Sequence, residues 1–280
     1  MTKMLRNVLL NILNPNEMKY LSASFDIIGN IVIIKIPAQL AGRRIIIANT
    51  ILEKIKSVRS VFCQSSGVKG DYRIRELEFL SGENNVVTTY KEHGCTFKVD
   101  VARTYFSPRL STERLRIANL IEPNEIVVNM FGGLGTYSIL IACKNKTVKV
   151  YSIDTNIIAH ELCIANCEIN KVRDRVFSIH GDAIDVITNE LRGVANRVLM
   201  PLPERAKEFI DVAILALKNG CGLIHFFSHI RASNRKSAVA VAEVEIRECF
   251  SKFNYTIKGI RVVREVGPKF YQVVSDVAIM

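Results

Sequence analysis

Residues 125–135 read EIVVNMFGGLG, and the TYSILIACK that follows completes the pattern that decides the fold. The apolar, β-branched run from Ile126 to Met130 predicts a buried strand. It breaks at Phe131 into Gly132, Gly133 and, after Leu134, Gly135, which predict a tight turn. The residues after Gly135 predict a helix. Strand, glycine turn and helix start in that order make a cradle for a nucleotide-like ligand. Glycine lets backbone approach the ligand closely, and a helix start presents unpaired N–H groups. The same arrangement also serves as a plain strand-to-helix turn, so the turn alone does not choose a ligand.

Downstream, strands and helices alternate. EIVVNM, VKVYSID, VFSIHGD, NRVLM and GLIHFFSHI predict strands, each followed by a helical stretch. Such alternation implies a parallel sheet covered on both faces. YTIKGIRVVREV and KFYQVVSDVAI meet at Gly267-Pro268 without a helix between them, which implies an antiparallel strand at one edge. The expected architecture is therefore α/β: a Rossmann-like doubly wound sheet with an antiparallel edge strand, the class I methyltransferase variant, over residues 99–280.

Upstream, residues 1–98 predict a separate small α/β domain. FDIIGNIVIIKIP reads as a hairpin turning at Gly29-Asn30, Ala38 to Lys56 as an amphipathic helix, and SVRSVFCQ as a strand. DYRIRELEFLSGENNVVTTYKEHGCTFKVD supplies further strands, in which Arg73 and Arg75 would face one side. From Val99 the chain runs through Ser107-Pro108 into a helix that Ser111 or Thr112 can cap.

Composition bounds the rest. Hydrophobic residues make up 49% and charged residues 23%, enough apolar side chain for a substantial core. No apolar run approaches the roughly 20 residues that span a bilayer, and no cleavage site follows Met1 to Leu13. A cytoplasmic protein with no membrane partner, acting as a monomer, is expected. Seven scattered cysteines argue for reduced thiols. The formal charge of +11 favours a polyanionic partner such as nucleic acid. His160, Cys163 and Cys167 share a helical face, but a packed face explains that spacing and no metal is expected.

In open α/β sheets ligands bind beyond the carboxyl ends of the strands. The second strand ends at Asp154-Thr155, where a carboxylate suits ribose hydroxyls, and the third at Gly181-Asp182-Ala183, where one suits an adenine amino group. The fourth ends in the stiff Met200-Pro201-Leu202-Pro203. Asp154 and Asp182 could equally cap the helices that follow. NAD competes for such a site, but the turn continues to Ser138 where a dinucleotide fingerprint has Gly or Ala, and no pyrophosphate site is evident. S-adenosylmethionine is favoured.

VARTYFSPRLSTERLRIA, NMFGGLGTYSILIA, SIDTN, the GDA at 181–183 and MPLPERAKEFI together resemble the archaeal tRNA (guanine-N1)-methyltransferases that modify guanosine at tRNA position 37. GDYRIRELEFLSGE and YKEHGCTFKVD are similar to the same family. The resemblance covers residues 20–280, and that family's separate tRNA-elbow domain is not expected here. It implies methyl transfer from S-adenosylmethionine to guanine N1 in the anticodon loop. Glu113 would be the general base, and Arg73 would stabilise charge developing on guanine O6. Arg114, Asp154, Asp182 and Ala183 would border the cofactor with the glycine loop, Thr155 and Pro201. Arg103, Tyr105 and Arg109 would meet the splayed RNA loop.

Two positions depart from that pattern. Asn129 replaces an acidic residue before the glycine loop, and Pro201 stands where an Asn amide usually lies near the target base. The second change resembles the archaeal subgroup that also methylates the tricyclic wyosine precursor. Two rivals remain open: a 3-amino-3-carboxypropyl transferase acting on the same pathway, and a non-catalytic RNA-binding protein with a vestigial cofactor fold.

Overall fold

The computed structural model describes residues 2–21, 25–65 and 74–280. The chain divides into two compact units, Met1–Pro108 and Arg109–Met280.

In the first unit, α1 (Thr2–Leu9) and α2 (Pro15–Tyr20) precede the hairpin of β1 (Phe25–Ile28) and β2 (Ile31–Ile34). A 3-10 turn at Ala38–Arg43 leads into α3 (Arg44–Lys54), then β3 (Ser60–Gln64) and β4 (Leu77–Gly82). β3 runs parallel to β2 and antiparallel to β4, so the pairing is mixed. Leu5, Leu9, Val32, Ile34, Ile47, Ile51 and Val61 are buried together between helices and sheet. The turn residue Gly29 has φ +57°, and a Cβ there would lie 2.2 Å from Thr88 Oγ1.

Thr88 belongs to a second hairpin, β5 (Val87–Glu92) and β6 (Cys95–Asp100). Its hydroxyl donates to Asn30 Oδ1 at 2.7 Å and accepts from the Asn30 N–H at 3.1 Å, locking the two hairpins together. The chain beyond β6 stays with this unit: the Val101 N–H donates to Val86 O, the Thr104 N–H to Asp100 O, and Arg75 Nη2 to Phe106 O. These bonds tie residues 99–108 to the first compact unit, which ends at Pro108. Arg75 precedes β4 instead of lying in it, with Nη1 3.1 Å from Asp26 Oδ2.

The second unit opens with α4 (Ser111–Asn119) and continues β7 (Ile126–Asn129), α5 (Thr136–Lys144), β8 (Lys149–Asp154), α6 (Ile157–Ile169), β9 (Val176–His180) and α7 (Ala183–Asn189). β10 (Arg197–Met200), α8 (Ile210–Ala216), β11 (Gly222–Arg231), α9 (Arg235–Cys249), β12 (Tyr255–Gly267) and β13 (Phe270–Ile279) complete it. Its sheet has the order β12-β13-β11-β10-β7-β8-β9. The five strands β7 to β11 are parallel, and β13 inserts antiparallel between β11 and β12. The reversed strand thus lies one position inside the edge, and β12 forms the edge itself. The short turn at Gly267–Lys269 makes β12 and β13 antiparallel, because a tight connection reverses chain direction, and the pairing of β13 with β11 leaves β12 at the edge.

α4 is not capped as expected. Its N-cap is Leu110, which carries no side-chain cap bond, so Ser111 and Thr112 fall inside the first turn. The preceding 3-10 turn at Pro108–Leu110 winds the chain into the helix before either hydroxyl can act as a cap.

Candidate active site

The carboxyl ends of the parallel strands converge on the glycine loop. β7 ends at Asn129, and the Met130 N–H donates to Leu199 O of β10 at 3.0 Å. The Gly132 N–H donates to Ile153 O at 2.7 Å, drawing the loop against β8. That approach requires glycine: a Cβ on Gly132 would lie 2.1 Å from Ser152 Oγ. Gly135 has φ +90°, and its missing side chain leaves room for Cys163 Sγ, 2.7 Å from where a Cβ would stand. Cys163 and Cys167 are buried packing residues here. Among the described residues, no group of three or more His, Cys, Asp or Glu side chains is placed to hold a metal ion.

Gly133 differs from its neighbours. It has φ +55°, yet nothing lies within 4 Å of its would-be Cβ, so it faces open space. Its N–H donates to Asp154 Oδ2 at 2.7 Å, and Asp154 Oδ1 accepts from the Asn156 N–H at 2.9 Å. Burial pushes the Asp154 carboxyl up, with the two backbone bonds pulling the other way. α5 starts at Gly135 without a side-chain cap, leaving its first-turn N–H groups for another acceptor. Beneath the loop, Asn129 Nδ2 donates to Ser138 Oγ at 3.1 Å, and Ser138 Oγ to Ser152 Oγ at 2.8 Å.

At the next strand ends, His180 Nε2 lies 3.1 Å from Thr155 O, and the Gly181 N–H donates to Asp154 O. Asp182 caps α7 by accepting from the Ile184 N–H at 2.7 Å, and Ala183 is buried in the first turn. Asn156 caps α6, so Asp154 is not itself the cap. Phe131 packs edge-on against Phe209 at 4.9 Å, and Pro201 is half-buried at the end of β10. Phe131, the three loop glycines, Asp154, Thr155, Asp182, Ala183 and Pro201 therefore share one rim of the sheet. An open glycine, an uncapped helix start and carboxylates at successive strand ends fit an adenosyl cofactor.

Glu113 lies in the first turn of α4 and is 2% exposed. Oε1 accepts from Arg116 Nε at 2.8 Å, while the buried Oε2 has no hydrogen-bond partner. Oε2 forms an ion pair with Arg261 Nε on β12, at 3.4 Å. Burial pushes the Glu113 carboxyl above the ordinary range, against the opposing pull of Arg116 and Arg261. Arg114 beside it is buried. Arg109 is exposed. In the other unit, Arg103 is exposed with Nε 2.7 Å from Asp100 Oδ2, and Tyr105 is half-buried. Arg73 lies outside the described residues.

Sequence reading passed over the polar groups behind Glu113: Arg116, Asp276, His225, Arg197 and Glu125. A signal existed, since each of the last four interrupts or borders an apolar strand where an ionisable side chain must find partners.

The TRM5/TYW2 methyltransferase domain matches residues 88–256 and the TYW2 N-terminal domain matches residues 5–85. The chain belongs to the TRM5/TYW2 methyltransferase family. Pyrococcus abyssi tRNA (guanine(37)-N(1))-methyltransferase Trm5b is 38% identical over 94% of this chain and 77% of its own length. Saccharolobus solfataricus tRNA 4-demethylwyosine(37)-methyltransferase Taw21 is 37% identical over 90% of this chain and 92% of its own length. Pyrococcus horikoshii TYW2, solved in complex with MeSAdo, superposes with a TM-score of 0.79 at 26% identity, covering 100% of this chain and 99% of that one. MeSAdo is an analogue of S-adenosylmethionine, the cofactor of this TRM5/TYW2-family enzyme. Among the described residues no helix is long and apolar enough to cross a membrane.

Proposed function

We propose that this enzyme methylates N1 of the guanosine at position 37 of tRNA, in the anticodon loop, with Glu113 as general base. One observation carries the reading: Glu113 is a buried carboxylate with Oε1 tied to Arg116 and Oε2 holding no hydrogen bond, only a 3.4 Å ion-pair contact with half-exposed Arg261. A group that removes a proton near neutral pH needs a free oxygen and a carboxyl shifted upward, and burial supplies the shift.

Guanine N1 carries its proton at neutral pH and is a poor nucleophile until that proton leaves. Glu113 Oε2 takes the proton, and Arg116 holds the carboxylate in orientation meanwhile. Bound S-adenosylmethionine supplies an electrophilic methyl group. The glycine loop, the start of α5, Asp154 and Asp182 would hold that cofactor. Exposed Arg103 and Arg109, with the chain's +11 charge, offer phosphate contacts to RNA.

A second substrate is favoured by a specific residue. Pro201 has no side-chain amide to select guanine, which leaves room for the tricyclic wyosine precursor at the same tRNA position. The 4-demethylwyosine(37)-methyltransferase name of the Saccharolobus relative supports this extension.

The test is nucleoside mass spectrometry of tRNAs carrying guanosine or 4-demethylwyosine at position 37, incubated with protein and labelled S-adenosylmethionine. A methyl gain on guanosine, abolished by Glu113→Gln, is expected. An aminocarboxypropyl gain, or no transfer to either tRNA, overturns the reading. Methylation of guanosine alone removes only the second substrate.

A further inference from the structure

Glu113 is one end of a chain of buried and half-buried polar groups that crosses the second unit. Arg116, one turn further along α4, presents Nε and Nη2 to Glu113 Oε1 at 2.8 and 2.7 Å. The same guanidinium donates from Nη1 and Nη2 to Asp276 Oδ2 and Oδ1 at 2.6 and 3.1 Å. Asp276, on β13, also accepts from His225 Nδ1 on β11 at 2.6 Å, its direct neighbour in the strand register. Arg197 Nη1 donates to His225 Nε2 at 3.0 Å, which fixes the ring as the neutral tautomer with its proton on Nδ1. Arg197 is held in turn by Glu125 at 2.7 Å through two oxygens and by Leu120 O at 2.8 Å.

We propose that Asp276, seated by His225, is a positioning residue for the methyl transfer: it holds Arg116 so that the guanidinium engages one oxygen of Glu113 and leaves the other without a hydrogen bond, 3.4 Å from Arg261 Nε. This rests on the reading of Glu113 as the base. The physical reason is that one guanidinium serves two carboxylates. Alone with Arg116, Glu113 could take a fork-to-fork pair, with both oxygens engaged and basicity lost. Asp276 occupies the outer face of that fork. It also adds a like charge, which resists ionisation of Glu113.

The groups facing Glu113 are Arg116 on its own helix, Arg261 from β12 and Asp276 from β13. Those facing Asp276 are Arg116 and His225, and those facing His225 are Asp276, Arg197 and Arg116. Burial drives His225 away from its charged form, against the pull of Asp276, so the ring donates to Asp276 as a neutral imidazole. The hydrogen bonds from His225 and Arg116 outweigh the effect of burial on Asp276 and keep it ionised far below the usual carboxylate range.

The experiment is the kcat–pH profile of full-length protein acting on tRNA with guanosine at position 37. Asp276→Asn removes the competing charge and lets Arg116 turn wholly to Glu113. The acid limb should move down by about one pH unit and plateau kcat should fall about tenfold, with KM for S-adenosylmethionine unchanged. Asp276→Glu, which keeps the charge, should return the limb toward the wild-type position. If Asp276→Asn does not fold, judged by its melting curve, His225→Asn carries the test with a smaller shift in the same direction. An acid limb unmoved in the folded variant overturns the inference. Glu113→Gln separates the two claims: full turnover there removes the base itself, whereas loss of turnover beside an unmoved limb removes only the role of Asp276.

Discussion

The backbone N–H of Gly133 donates to Asp154 Oδ2 at 2.7 Å, so the carboxylate at the end of β8 holds the glycine loop in shape. Its other oxygen accepts from the Asn156 N–H, which ties the loop to the start of α6. As a cofactor-binding residue, the same acid would meet a ribose at the strand end.

Asp154→Ala should therefore damage both loop and ligand. A charge-assisted hydrogen bond to a carboxylate is worth about 1.5–3 kcal/mol, or roughly ten- to a hundredfold in affinity. Titration calorimetry with S-adenosylmethionine should show a loss of that size. Unchanged affinity would leave Asp154 a purely local brace.

The loop glycines should separate folding from binding. Gly132→Ala drives a Cβ toward Ser152 Oγ and should cost about 1–3 kcal/mol of stability as well as binding. Gly133→Ala meets no atom and bears only the strain of φ +55°, about 1 kcal/mol, but its methyl enters the open space offered to the cofactor. Melting curves should show the larger loss for Gly132→Ala, while calorimetry should show lost cofactor binding in both.

Stability should depend on pH through His225. Burial keeps its folded pKa below the ordinary histidine value, so the unfolded chain binds the proton first. This contribution is fully present above about pH 6.5 and is lost as pH falls from there toward the folded pKa. Its limiting slope is about 1.4 kcal/mol per pH unit. Glu113, raised by burial, acts in the opposite sense: its contribution is present below about pH 4.3 and is lost as pH rises through its folded value. Denaturant titrations of wild type and His225→Asn should isolate the histidine, the wild type losing more stability between pH 7 and 5. Parallel curves would refute the buried neutral ring.

Arg197→Met should cost about 3 kcal/mol, because Glu125 then loses both of its charge-assisted bonds and His225 Nε2 loses its donor. Adding Glu125→Gln should recover part of the loss, since the stranded charge is gone. A double variant no more stable than the single one would show that Glu125 is not the group left in deficit.

Much of the architecture was legible because its signals are local. The hairpin at Gly29-Asn30, the glycine loop and the strand-helix alternation each follow from turn chemistry and side-chain periodicity over a few residues. The FSPRLSTER segment singled out Glu113 through resemblance, not through any local pattern. The helix cap was misread because Pro108 begins a 3-10 turn that reaches Leu110 and moves the cap upstream of both hydroxyls. The attachment of residues 99–108 to the first compact unit was not legible, because the bonds that hold them come from Val86 and Arg75, outside any short window.

By itself the sequence determined the fold class, the glycine cradle and the acids at the strand ends, since glycine turns and apolar periodicity act over the reach of a single element. Only tertiary structure decided what surrounds Glu113. Arg116 and Asp276 stand 160 residues apart, and they meet because β13 inserts antiparallel beside β11, placing Asp276 opposite His225. Strand register between distant segments depends on how the whole sheet packs, and no local pattern encodes it. That packing sets the burial and the shared guanidinium that leave Glu113 with one oxygen hydrogen-bonded and the other without a hydrogen bond.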